Sequence, residues 1–305
     1  MSPRAIAAAA LATCVAASAC QQADAAKAAR IDSAQLSKRE ARLERSLSTR
    51  PASPADTTAD RKAVARWILP RDLDEISGIT LTSDGRLLAQ SDERGQVSEI
   101  DYRRGVVVKQ FVVGHPTIKA DLEAITVAND VVFMLASNGT LYEFREGANG
   151  ARMDYETHDT RLGKECEFEG LAYDSTLKAL LLACKNVYTK HPSHSLMIYR
   201  WRLQGGKDRL SQLTVPVGDV IKKLGEEHLH PSDITVDPIT GNYVVIASIE
   251  KAIVEFTPDG QVVFARKLPG DHDQPEAVAI TRDSILIIGD EARDRPAVLT
   301  LYPWH

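Results

Sequence analysis

The residues best placed to do chemistry in this chain are carboxylates at the heads of repeated apolar segments. Asp74-Glu75, Asp121-Leu122-Glu123, Glu165-Cys166-Glu167-Phe168-Glu169, Asp233 and Glu276 each precede or open a short aliphatic run. A second polar set, Asp92-Glu93, Asn138, Lys185-Asn186, Glu250 and Asp290-Glu291, follows fourteen to eighteen residues after each repeat start. In an antiparallel hairpin the first residue of one strand and the last of the next lie at the same end, so the two sets should share a rim. Crowded carboxylates cannot all ionise without cost: either their pKa values rise or a cation compensates. Calcium suits such a rim because it takes roughly six to eight hard oxygen ligands, whereas zinc favours His and Cys. The expected ligand set is Glu75, Asp92, Glu123, Glu169, Asp233, Glu276 and Asp290. The alternative is an ordinary polar rim whose side chains cap turns and meet backbone N–H groups.

The elements that must position these residues emerge from an internal repeat. Ser77-Gly78-Ile79-Thr80, Glu123-Ala124-Ile125-Thr126, Glu169-Gly170-Leu171-Ala172, Ser232-Asp233-Ile234-Thr235 and Glu276-Ala277-Val278-Ala279 start 46, 46, 63 and 44 residues apart. Each start is followed by further short apolar strands and by turns rich in Asp, Pro, Asn and Gly. A period in the mid-forties with four strands per unit predicts an all-β fold, a β-propeller. Five four-stranded repeats are evident, and six blades are possible. The last unit shows only three strands, and Ala63–Leu69 is expected to supply its fourth, so that the N-terminal strand closes the ring. The long third interval holds Val217–Glu227, whose Val220, Ile221 and Leu224 have helical spacing, as a surface decoration or a lid.

Residues 1–20 read as an export signal. Arg4 precedes the apolar run Ala5–Ala19, which at about fifteen residues is short for a membrane span. Ala17-Ser18-Ala19-Cys20 resembles a bacterial lipobox, in which Cys20 would be lipidated; plain cleavage is the alternative, since Ala17 stands where leucine is usual. Residues 21–63 read as a tether, a possible helix followed by a Pro/Ser/Thr linker, and residues 64–305 as the propeller domain. The expected location is the bacterial cell envelope, either lipid-anchored on the periplasmic side of the outer membrane or free in the periplasm. In such a compartment Cys166 and Cys184 can oxidise to a cross-strand disulfide, with buried thiols as the alternative.

Composition narrows the function classes. Of 305 residues 44% are hydrophobic and 26% charged, values of an ordinary globular protein rather than a disordered or integral membrane one. A net charge of −5 and 6% aromatics provide neither a phosphate-neutralising field nor many stacking platforms, which argues against nucleic acid as a partner. His191, His194, His228 and His230 read as solvated loop residues, since no third metal ligand accompanies them. No nucleophile elbow, P-loop or dinucleotide fingerprint is present.

Several of these segments resemble a known family. Glu165-Cys166-Glu167-Phe168-Glu169-Gly170-Leu171-Ala172-Tyr173, Leu181-Leu182-Ala183-Cys184-Lys185, Asp121-Leu122-Glu123-Ala124-Ile125-Thr126 and His230-Pro231-Ser232-Asp233-Ile234 look like the SdiA-regulated (YjiK-like) propeller proteins of bacteria. The resemblance implies a propeller over about residues 65–304. It implies no reaction, because the family name records transcriptional control. Ser77 and Ser232 depart from a full acidic ring. Two functions fit: an envelope lipoprotein that binds a small molecule or envelope protein through its rim, and a calcium-assisted hydrolase of phytase- or lactonase-like type.

Overall fold

The computed structural model describes residues 33–48, 62–205 and 209–304. The lipobox with Cys20, most of the tether and its Pro/Ser/Thr linker lie outside the described residues. The chain divides into two units, up to Thr49 and from Arg50 onward. In the first, helix α1 spans Ser33–Ser48 and carries the tether's Leu36, Leu43 and Leu47. Among the described residues no helix is long and apolar enough to cross a membrane.

The second unit is a five-bladed β-propeller. After β1 (Ala65–Ile68), blade 1 is formed by β2 (Ile76–Leu81), β3 (Leu87–Ser91), β4 (Gln96–Asp101) and β5 (Val106–Val113). Blade 2 contains β6 (Leu122–Ala128), β7 (Val131–Ala136), β8 (Thr140–Arg145) and β10 (Tyr155–Asp159). Between β8 and β10 the short β9 (Arg152–Met153) crosses to pair in parallel with β5, giving blade 1 a fifth strand that covers its outer edge. Blade 3 contains β11 (Cys166–Asp174), β12 (Ala179–Val187), β13 (Ser195–Arg202) and β14 (Leu210–Pro216). Blade 4 contains β15 (Asp233–Val236), β16 (Tyr243–Ala247), β17 (Ala252–Phe256) and β18 (Val262–Lys267). Blade 5 contains β19 (Pro275–Ile280), β20 (Ile285–Asp290) and β21 (Val298–Pro303), and its fourth strand is β1, paired antiparallel from Ala65 opposite Leu301 to Ile68 opposite Val298.

The inner strands β2, β6, β11, β15 and β19 pack side by side around the axis, with β19 returning to β2. Their closeness explains the small second residue of the repeat. A Cβ on Gly78 would lie 2.9 Å from Ala124 Cα, and one on Gly170 would lie 2.9 Å from the Ile234 nitrogen. The apolar residues fill the spaces between blades: Val97, Phe111, Ile125 and Met134 between blades 1 and 2, Phe168, Leu171, Leu182 and Leu135 between blades 2 and 3. The insertion forms helix α2 (Gly218–Leu224), ended by Gly225 at φ 73°. Its Val220 and Ile221 are buried in the core between blades 3 and 4, so the helix is a packed decoration rather than a lid. At the closure, the Trp67 indole N–H donates to the Tyr102 carbonyl at 2.8 Å. Its ring lies against Gly105, where a Cβ would approach to 2.4 Å.

Candidate functional site

The first residue of the repeat has a backbone role that its identity conceals. Opposite β3, Ile76 pairs with Ser91 and Gly78 with Gln90, leaving Ser77 as an extra residue. Glu123 is extra in the same way between Leu122 and Ala124, Glu169 between Phe168 and Gly170, and Glu276 between Pro275 and Ala277. In blade 4 the Ser232 N–H donates to the Ile246 carbonyl although Asp233 already stands opposite Ile246. Every blade therefore carries a β-bulge at this position, and a bulge re-aims its side chain away from the strand's alternation. Blades 2, 3 and 5 place a glutamate there. Blades 1 and 4 place a serine that ties one blade to the next: Ser77 Oγ donates to the Leu122 carbonyl and Ser232 Oγ to the Pro275 carbonyl, both at 2.8 Å.

The second strands supply the rest of this axial mouth. Lys185 is itself an extra residue in β12, flanking the Phe168–Cys184 pair on the side opposite Glu169. The two bulges bring Lys185 Nζ to 2.7 Å from Glu169 Oε1. Gln274 Nε2 donates to Glu291 Oε2, Ser248 and Gln274 favour the ionised form of Glu276, and the Glu75 carboxyl lies against that of Glu291. Asp92 reaches the group electrostatically, and its backbone N–H donates to the Glu75 carbonyl at 3.1 Å. A cavity of about 540 Å³ opens beside Asp92, between Arg94, Lys119 and Asp121.

Burial and mutual repulsion displace the titrations here. Burial, reinforced by Glu169 and Asp121, pushes Glu123 up to about 9. Glu169 is raised by burial to about 7, held back by its bond to Lys185 and pushed by Glu276 and Glu167. Glu291 rises to about 8 through burial and its bond to Glu75, and Asp92 to about 6 through burial and the charges of Glu75 and Glu93. Burial raises Glu276 also, against Lys185, Ser248 and Gln274. Burial opposes the charge on Lys185, yet Glu169, Glu276 and Glu167 hold it above the usual lysine range. Asp92 Oδ1 and Glu276 Oε2 are buried without a hydrogen-bond partner among the described residues. The mouth is thus a set of hard oxygen donors short of positive charge.

Five of the seven expected ligands, Glu75, Asp92, Glu123, Glu169 and Glu276, lie in this group. Asp233 does not. It is 2% exposed, and its carboxylate accepts the backbone N–H groups of Ile234 and Val278 at 2.8 Å, and that of Leu171 as well. Burial raises its pKa well above the ordinary range against those three donors, and it fastens blades 3, 4 and 5 together. Asp290 pairs instead through Oδ2 with His272 Nδ1 at 2.7 Å, while its Oδ1 is buried without a hydrogen-bond partner among the described residues and His272 Nε2 lies 3.0 Å from the Tyr302 hydroxyl. Its place at the mouth belongs to Glu291.

Cys166 and Cys184 are joined by a disulfide with Cα atoms 5.7 Å apart. The bulges shift its register: Cys184 stands opposite Phe168 and Leu171 opposite Leu182. His230 is tied to the blade rather than free in solvent, with Nδ1 2.6 Å from Glu250 Oε1.

Fold and mouth together define the class: a five-bladed propeller with a carboxylate-lined axial mouth. Residues 217–302, taking in α2, blade 4 and blade 5 through β21, match the SdiA-regulated family. The resemblance carried by His230-Pro231-Ser232-Asp233-Ile234 is borne out over that stretch. No curated protein matches the chain. Among solved structures, Myxococcus xanthus glutaminyl cyclase is similar at a TM-score of 0.52 and 12% identity, over 79% of this chain and 94% of that one. A luciferin-regenerating enzyme is similar at a TM-score of 0.49 and 10% identity, over 78% and 95% of the two chains. At 12% identity the first likeness shows the shared propeller fold alone.

Proposed function

We propose that this protein is a binding propeller of the bacterial cell envelope, anchored through Cys20 or free in the periplasm, whose axial mouth takes up calcium and through it a small molecule or an envelope protein. The observation that carries the reading is the imbalance of charge: six carboxyl groups, Glu75, Asp92, Glu123, Glu169, Glu276 and Glu291, converge with Lys185 and, beside Glu276, Lys251 as close cations. A divalent ion coordinated by these oxygens would replace the protons that the raised carboxyls otherwise retain. Unpartnered oxygens on Asp92 and Glu276 supply donors that no protein group uses. The export reading rests on residues 1–20, and a disulfide between Cys166 and Cys184 suits an oxidising compartment.

The test is calorimetric titration of the chain with calcium in two buffers of different ionisation enthalpy. Binding should release protons at pH 7, weaken in Glu169→Gln and strengthen in Lys185→Met, which removes the competing cation. No binding at millimolar calcium, or binding with no proton release, overturns the reading. The same samples assayed for phosphate-ester and lactone hydrolysis, with calcium and with chelator, distinguish a binding module from a calcium-assisted hydrolase.

A further inference from the structure

At the end of the axis opposite the carboxylates, the inner strands diverge around a cavity of about 870 Å³ to which all five blades contribute. That volume lies within the range of roughly 300–1,000 Å³ usual for small-molecule sites. The two ends are separated within the ring, where Gly78 and Gly170 admit close strand contact and the Asp233 carboxylate fastens three blades.

The walls alternate apolar side chains, such as Ile79, Val127 and Ile234, with the hydroxyls of Thr80, Thr126 and Thr235. These threonines occupy one repeat position in blades 1, 2 and 4, where blades 3 and 5 have alanine. Thr126 is only 3% exposed, and its hydroxyl has no hydrogen-bond partner among the described residues. A hydroxyl at a cavity wall without a protein partner is open to one from solvent or ligand. At the cavity edge Tyr173 provides a ring whose hydroxyl accepts from Asn129 Nδ2 at 3.1 Å. The lining carries three aspartates, Asp84, Asp130 and Asp283, and two arginines, Arg103 and Arg282, of which Arg103 pairs with Asp283. The lining has no excess of positive charge with which to select an anion.

We propose that this cavity is a binding site for a neutral, hydroxyl-rich small molecule of the size of a mono- or disaccharide. A sugar offers apolar C–H faces for the aliphatic walls and the Tyr173 ring, and hydroxyls that donate to and accept from the threonines. The site is independent of the cation reading at the other end.

Titration of the full chain with glucose, maltose and N-acetylglucosamine, followed by saturation-transfer NMR and calorimetry, tests it, with glucose 6-phosphate as the charged comparison. At least one neutral sugar should bind saturably. Thr126→Val, which keeps the side chain's shape, and Tyr173→Phe at the cavity edge should each weaken it, the first by about tenfold, the loss of one neutral hydrogen bond. Lys223→Met, exposed on α2 and outside both ends of the axis, should leave it unchanged. Binding of none of the neutral sugars, preference for the phosphate, or equal affinity in wild type and both wall variants overturns the proposal.

Discussion

Replacing Glu123 by glutamine should stabilise the metal-free propeller, although it deletes a residue of the candidate site. In the fold this carboxyl titrates at about 9 rather than at its ordinary 4.5. Between those values the folded chain holds a proton that the unfolded chain has released, so stability is fully present below 4.5 and declines as pH rises toward 9. At pH 7 the loss from this one group is about 3 kcal/mol. Glutamine has the same shape and does not titrate, so Glu123→Gln should recover most of that amount. For a domain of this size the gain corresponds to a rise in Tm of roughly 6 °C or more. Thermal melts of both proteins in chelator across pH 4 to 9 provide the assay; the variant should show the flatter profile, with the curves meeting at the acid end. A variant no more stable than wild type at neutral pH, or one with an unchanged pH slope, would refute the account of the mouth as overcrowded with carboxylates.

Other substitutions probe the scaffold. Asp233→Ala leaves three backbone N–H groups in three blades without their acceptor and should cost about 3 kcal/mol or more in urea denaturation. Gly170→Ala drives a Cβ against the Ile234 nitrogen at 2.9 Å, where backbone cannot yield cheaply, and should cost about 1–3 kcal/mol by the same measurement. Cys184→Ala opens a loop of 18 residues and should lower stability by about 3 kcal/mol, a difference that disappears when both proteins are melted under reducing conditions.

The repeat was legible because each blade must present the same few features: a polar head, a small residue where inner strands touch, an aliphatic core residue and a turn. Closure by the N-terminal strand followed from a missing strand in blade 5. The bulges were less legible, because an extra residue in a ladder leaves no mark in local propensity. Only a polar residue recurring at the head of an apolar strand hinted at them. Without the bulges, the register at a strand end shifts by one residue, and the sequence does not show which of Asp290 and Glu291 stands nearer Glu75. Asp233 was misread for a different reason: its neighbours in space, Val278 and Leu171, are contributed by other blades. β9 was invisible because two residues pairing across blades carry no periodicity.

Because β1 and β21 lie side by side in blade 5, the sequence of the propeller begins and ends at one place on the circle. A chain cut anywhere else and rejoined there by a short linker would retain every strand pair. Circular permutants opened at the β15–β16 turn near Gly241 should accordingly fold, whereas trimming a few residues from either end of the domain unlatches the same blade.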